Sequence, residues 1–283
     1  MKDMTQGERL AKMKLLPFLV LLISQFAWAQ FKSGTVVYVD FAQDELTVAA
    51  DSRMNIASGG HDDSECKISA FGSKFLFSMA GAARIGQWNA HSAAREVWKR
   101  ESKSKSDDAT LLPRTVNGWI EVAKPIYATP DLIAEIRKHM SSGDDPVVAT
   151  AFFAAVDKSG RLKASAVNIN FDLPLFDSTG EVKLISNANG IPADSSFSMG
   201  HDDVVIEFRH DTTQRAKEYM NWFRRRIAAL PPHRQRAELA SKYIELSILL
   251  HPKNNELAFP IDVLQLRADG LHWVSRKGNC PED

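Results

Sequence analysis

Helical segments in this chain come in pairs between blocks of strand-like sequence, and that order constrains the fold more than any single motif. Thr35–Phe41 (TVVYVDF) and Leu46–Ala50 (LTVAA) are β-branched and apolar runs joined by the polar Gln43-Asp44-Glu45, which predicts a hairpin. Lys67–Ala70 and Lys74–Ala80 predict a second hairpin around Phe71-Gly72-Ser73, while Ser58–Asp63 reads as a loop. From Ile85 the period changes, with Ile85, Trp88, Ser92, Arg95 and Trp98 recurring at helical spacing. A second helical segment covers about Arg114–Ala123, is interrupted by Pro125 and Pro130, and resumes over Asp131–Met140. After a loop at Ser141–Pro146, strands return at Val147–Asp157, Arg161–Asn168 and Val182–Ser186, with Val204–Phe208 as a short extra strand. Two more helices, Thr212–Ala229 and His233–Leu250, flank Pro231-Pro232. The strands Ile261–Arg267 and Leu271–Ser275 close the chain. Single helices alternating with strands would predict a doubly wound parallel sheet. Helix pairs between strand blocks predict an α+β fold of mostly antiparallel sheets with the helices packed outside.

Residues 1–29 read as a leader. Lys2, Arg9, Lys12 and Lys14 make the start basic, Leu15–Trp28 is mostly apolar, and Ala27-Trp28-Ala29 is a small-x-small cleavage site. The apolar run is shorter than the roughly 20 residues of a membrane-spanning helix. A cleaved signal peptide is therefore expected, with export to the periplasm or the exterior and no stable membrane anchor. The rest of the 283 residues, in a chain that is 44% hydrophobic, suffices for one domain with a real core. The 35 basic and 35 acidic residues cancel, which removes any electrostatic reason to expect nucleic acid as a partner. Export permits a disulfide between the two cysteines, Cys66 and Cys280, although their spacing does not show that they meet.

The eight histidines fall in no zinc-binding spacing, so neither a metal nor a cofactor is expected. Gly60-His61-Asp62-Asp63 recurs as Gly200-His201-Asp202-Asp203, read as two solvated loops. Arg224-Arg225-Arg226 reads as the polar face of a helix, with Trp222 and Phe223 packing inward. There is no Gly-x-Ser-x-Gly elbow and no phosphate-binding glycine loop.

Thr35 follows Gly34 shortly after the leader. A threonine at a chain terminus is a complete nucleophile–base pair, since its hydroxyl attacks and its own α-amine takes the proton. Asp51 in Ala50-Asp51-Ser52-Arg53, Lys67 in Lys67-Ile68 and Gly81 in Ala80-Gly81 lie 16, 32 and 46 residues further on. In type, order and spacing these motifs resemble the proteasome β-subunit family, including its simpler bacterial two-component relative, whose members are N-terminal-nucleophile hydrolases. The resemblance covers Thr35 to about Arg276. It implies a four-layer αββα sandwich of two antiparallel sheets flanked by helix pairs, formed by a single domain over 35–283. It also implies a short propeptide, residues 30–34, removed when the Thr35 hydroxyl attacks the carbonyl of Gly34, a residue with no side chain to block the approach. Lys67 would then supply positive charge beside the hydroxyl, Asp51 would hold Lys67, and the Gly81 N–H would donate to the developing oxyanion. Arg53 would order the strand end. The freed amine, with an ordinary pKa of about 7.7–8.0, is suited to act as the base.

The second half departs from the family pattern. Active members carry a serine in a Gly-Ser-Gly-like turn, where the corresponding stretch here is Ile185–Gly190. They also carry an acid and a hydroxyl after the last helix, where this chain reads Asn254-Asn255-Glu256-Leu257-Ala258, with Glu256 or Asp262 as open substitutes. The expected activity is that of an exported threonine-type peptidase or amidase acting on peptide or amide bonds. The alternatives are an amidase of small amides and a non-catalytic assembly or binding protein. Export would separate the chain from the ATP-driven unfoldase that the family employs, leaving at most a self-assembled oligomer.

Overall fold

The computed structural model describes residues 31–33, 35–56, 60–104, 110–139, 147–250, 256–278 and 280. The expected leader, Gln30, Gly34, part of the 58–63 loop, the 141–146 loop and Asn254-Asn255 lie outside the described residues. The strands of the first third are β1 (Phe31–Ser33), β2 (Val36–Phe41), β3 (Glu45–Ala50), β4 (Met54–Ile56), β5 (His61–Asp62), β6 (Ile68–Phe71), β7 (Phe75–Gly81), β8 (Arg84–Ile85) and β9 (Trp88–Asn89). Helices α1 (Ala90–Ser102), α2 (Leu111–Tyr127) and α3 (Pro130–His139) follow. Next come β10 (Val147–Val156), β11 (Leu162–Phe171), α4 (Leu173–Thr179), β12 (Leu184–Ile191) and β13 (Ser195–Gly200). The chain ends with α5 (Asp203–Arg209), α6 (Gln214–Ile227), α7 (Pro232–Leu250), β14 (Asp262–Arg267) and β15 (Gly270–Ser275).

The result is a mixed α+β structure whose sheets are antiparallel, with orders β13-β2-β3-β14-β15, β12-β11-β10-β7-β6 and β5-β4-β1-β8-β9. The two-residue period of the strands explains the layering. Val37, Val39, Val48 and Leu264 of the first sheet meet Leu76, Ala80, Phe152 and Ala154 of the second in one apolar cluster. The alternate residues Val36, Tyr38, Ala49 and Val263 face Val205, Met220, Phe223, Ala240 and Ile244 of α5, α6 and α7. On the second sheet, Phe75, Phe77, Ala151 and Phe153 face Ala94, Val116, Trp119 and Tyr127 of α1 and α2. Strands clothed on both faces bury nearly everything, as in β3, and each large apolar side chain so enclosed contributes about 1.5–3 kcal/mol. Among the described residues no helix is long and apolar enough to cross a membrane.

Several expectations are corrected. The two expected sheets are joined by a third, built of short strands that periodicity is too brief to reveal. Val204–Phe208 is not a strand but most of α5, in which Val204, Val205 and Phe208 bury one helical face while Ile206 is 42% exposed. α1 starts at Ala90 rather than Ile85, because 84–89 form a β8–β9 hairpin and the Asn89 side chain caps the helix by accepting from Ser92 N at 2.9 Å. α2 runs through Pro125, whose missing N–H costs one bond near the helix end, while Pro130 opens α3. Trp222 is 47% exposed beneath the Arg226 guanidinium, whereas Phe223 does pack inward. Cys66 and Cys280, 214 residues apart, are joined as a disulfide.

Candidate active site

Four strand ends converge on one edge of the two large sheets. Thr35 precedes β2, Asp51 follows β3, Lys67 precedes β6 and Gly81 ends β7. Thr35, Asp51 and Lys67 are 4%, 0% and 1% exposed, a degree of burial unusual for an acid and a lysine unless they are paired.

They are paired. Lys67 Nζ donates to Asp51 Oδ1 at 2.7 Å and also to the Arg53 carbonyl. The same Oδ1 accepts from Val36 N at 2.9 Å, the amide immediately after Thr35. Oδ2 accepts from Arg53 N at 2.9 Å and from Ala258 N at 3.4 Å. Asp51 thus bridges Lys67 and the peptide group beside Thr35, and four donors hold its carboxylate in place. Burial pulls the Lys67 ammonium below the usual lysine range, against the opposing pull of Asp51. Arg53 contributes its carbonyl to Lys67, and its guanidinium forks onto Asp63 with both contacts at 2.7 Å. Ser78 Oγ donates to the Lys67 carbonyl at 2.8 Å and fixes the strand from the other side.

Gly81 closes this corner. Its φ of +94° and the 2.5 Å that would separate a Cβ from the Val148 carbonyl oxygen admit only glycine. The chain turns there, so that β8 leaves toward the small sheet. Gly200 is constrained in the same way from the first sheet, with φ +86° and Thr35 O only 1.8 Å from where its Cβ would stand. That virtual Cβ also lies 3.2 Å from Ala80 Cβ, so Ala80, Gly200 and Thr35 are immediate neighbours.

The small sheet bears on what precedes Thr35. β1, residues Phe31–Ser33, is its central strand, antiparallel to β4 with Ser33 opposite Asn55 and to β8 with Lys32 opposite Arg84. The chain leading to Gly34-Thr35 is therefore held extended between two strand edges.

The second half of the site differs from its sequence expectation. Ile185–Gly190 lies in β12, an edge strand of the second sheet, and does not form the turn at Thr35. That turn is Gly200-His201, expected to be a solvated loop, where His201 N donates to Thr35 O at 2.9 Å. β13 escapes notice in the sequence because SSFSMG is polar and short, although it pairs with β2 throughout. The 256–260 segment is present as anticipated, but it reaches Asp51 through main-chain groups: Ala258 N binds the carboxylate and Ala258 O takes Ser52 N at 2.9 Å. Of the two open acids, Glu256 lies 3.2 Å from His201 Nε2, and Asp262 pairs with Lys277 at 3.3 Å. No sequence signal marks this second buried pair, in which burial pushes the Asp262 carboxyl up while Lys277 draws it back. The Cys66–Cys280 bridge ties the Lys277 segment to the residue before Lys67. Buried His91 was likewise unforeseen: its Nδ1 is 2.8 Å from Ser69 Oγ, and burial holds the imidazole down at about 3.

Among the described residues no group of three His, Cys, Asp or Glu side chains converges as a metal ion would require. A cavity of about 530 Å³ between α2 and β11–β12 is lined by Phe41, Leu112, Val116 and Leu162, at the end of β2 opposite Thr35. Compared with known proteins, the chain matches no family model and no curated protein sequence.

Proposed function

We propose that the chain is an exported, self-processing threonine peptidase, an N-terminal-nucleophile hydrolase built on a four-layer αββα sandwich. The observation that carries this reading is β1. The peptide preceding Thr35 is a strand paired on both sides, so its departure would leave a slot with two unpaired strand edges, β4 and β8. An extended peptide fills such a slot by strand addition, with main-chain hydrogen bonds supplying affinity. A small amide would use almost none of it, which favours peptides over small amides as substrates.

Processing begins with attack of the Thr35 hydroxyl on the Gly34 carbonyl. The C–N bond breaks, the hydroxyl proton ends on the Thr35 nitrogen, and Gly34 is left as an ester on Oγ. Water hydrolyses that ester, giving a Gly34 carboxylate and a Thr35 with both hydroxyl and α-amine free. Substrate cleavage then repeats the attack with the amine as base. Lys67, held by Asp51, provides positive charge beside the reaction, and the Gly81 N–H is the donor assigned to the oxyanion. The disulfide accords with an oxidising, exported setting.

The test uses acetyl-Phe-Lys-Ser-Gly-aminocoumarin, which copies residues 31–34, against acetyl-Gly-aminocoumarin. The processed protein is expected to cleave the tetrapeptide with at least a tenfold higher kcat/KM, and Thr35→Ala to cleave neither. Equal rates on the two substrates, or activity surviving in Thr35→Ala, would overturn the proposal.

A further inference from the structure

Charge balances over the whole chain but not over its surface. Between Gln214 and Arg236 lie seven of the 35 basic residues and one of the 35 acidic ones, Glu218. This stretch is the α6–α7 hairpin. α6 buries Ala216, Met220, Phe223 and Ile227 and leaves Arg215, Trp222, Arg225 and Arg226 exposed. Part of the charge is met locally, since Arg215 pairs with Glu207 at 3.0 Å, Arg224 with Asp211 at 3.2 Å and Arg236 with Asp44 at 3.4 Å. Lys217, Arg225, Arg226 and Arg234 are exposed and carry no such pair among the described residues, and Glu218 is held by Gln214. At the tip the exposed residues turn apolar, from Ala228 through Leu230 to Pro232, with Leu230 39% exposed. Trp222 lies less than two helical turns back, beneath Arg226. The main chain of the tip is satisfied from within. Ile227 O accepts from Leu230 N at 2.9 Å and Pro231 O from Gln235 N at 3.0 Å. Gln235 Nε2 donates to Ala228 O at 3.3 Å and to Leu230 O at 2.7 Å, and the two prolines have no N–H to satisfy. Entry of such a tip into apolar surroundings strands few polar groups.

We propose that the α6–α7 tip docks the protein reversibly on the surface of an anionic lipid bilayer. Leu230 and Trp222 enter the boundary between headgroups and acyl chains, while Arg225, Arg226 and Arg234 meet the lipid phosphates. A soluble polyanion would use the arginines and leave the apolar tip in water, whereas a bilayer surface engages both. The docked orientation follows from the fold. Arg236 reaches Asp44 in the β2–β3 turn, and Gln265 Nε2 donates to His233 O at 2.7 Å, so the tip belongs to the end of the first sheet that holds this turn. Thr35 stands at the other end of β2, roughly 20 Å away along a six-residue strand. Docking therefore leaves the candidate active site clear of the bilayer, and the inference does not depend on the chemistry of Thr35.

The experiment is flotation of the protein, purified after export, with vesicles of phosphatidylcholine alone or with about one-third phosphatidylglycerol, in about 0.1 M salt. Binding to the anionic vesicles is expected to be at least tenfold tighter. The triple variant Arg225→Gln, Arg226→Gln, Arg234→Gln should lose on the order of 100-fold, at about fivefold per cation. A control with the same net charge, Lys74→Gln, Lys99→Gln, Lys103→Gln, should bind as wild type does. Leu230→Asp should weaken binding about tenfold with every cation in place. Of the six tryptophans, Trp222 is the one on this face, so anionic vesicles should shift the emission to the blue in wild type and not in Trp222→Phe. All these positions are exposed, and the melting temperatures should stay near that of wild type. Equal binding to the two vesicles, or a triple variant that binds like wild type, would overturn the proposal. So would a Leu230→Asp protein that keeps wild-type affinity while an RNA homopolymer binds as tightly as the vesicles, the result expected of a general polyanion site.

Discussion

Gly200→Ala perturbs the centre without touching any side chain proposed for the chemistry. A methyl at that position would stand 1.8 Å from Thr35 O and 2.9 Å from Thr35 C, both main-chain atoms that cannot rotate away. Ordinary contact begins near 3.4 Å, so β13 and the Thr35 carbonyl must separate by roughly 1.5 Å. The 2.9 Å bond from His201 N is lost in the process. An L-residue at φ +86° costs about 1–2 kcal/mol, and the broken hydrogen bond about 1 more. A stability loss of roughly 2–4 kcal/mol is expected by urea unfolding. Displacing a nucleophile by about 1 Å costs on the order of 100-fold, so processing followed by intact mass should slow by at least that factor. Gly180→Ala is the control. Its φ of +72° imposes the same kind of backbone strain, but nothing lies within 4 Å of its Cβ, so it should lose about 1 kcal/mol and process normally. If Gly200→Ala matures at the wild-type rate, the close approach of this turn to Thr35 has no role in the reaction.

Other perturbations separate the remaining parts. Lys67→Met leaves the Asp51 carboxylate buried without its ammonium and should cost about 3–5 kcal/mol in urea unfolding as well as abolishing processing; a fully processed variant would exclude Lys67 from the chemistry. His91 is held at about 3 by burial, with Arg95, Lys67, Arg84 and Lys277 pushing the same way, against 6.5 when unfolded. The unfolded chain binds a proton between those values that the folded chain does not, so this contribution to stability is present above 6.5 and is lost as the pH falls. From pH 7 to pH 5, wild type should lose roughly 2 kcal/mol more than His91→Gln, and equal losses would contradict the assignment. Replacing both Cys66 and Cys280 by serine opens a 214-residue loop and should cost about 2–5 kcal/mol, read as a lower melting temperature that reducing agent no longer affects.

The first half of the site is readable in the sequence because it is local. Thr35, Asp51, Lys67 and Gly81 sit at the ends of the four strands of two hairpins, and hairpin lengths tie sequence spacing to position in space. The apolar alternation of TVVYVDF and the paired amphipathic helices are likewise strong periodic signals. The second half is not local. His201 reaches Thr35 through β13, a polar edge strand with no apolar period, Glu256 meets His201 from more than fifty residues further on, and Lys277 donates to the Glu65 carbonyl across more than two hundred residues. The small sheet is equally silent, since two- and three-residue strands carry no period at all. Val204–Phe208 reads as a strand because five residues rich in valine fit a strand as well as a helix, and it is as a helix that Val204, Val205 and Phe208 pack in one cluster with residues of α7.

The most direct test is the intact mass of the full chain after expression with its leader and purification, beside Thr35→Ala prepared in the same way. Self-processing predicts a wild-type chain that begins at Thr35 and a variant that keeps the residues before it. A wild-type chain that still begins at Gln30 after days under conditions in which it is folded would contradict the assignment of Thr35 as a nucleophile.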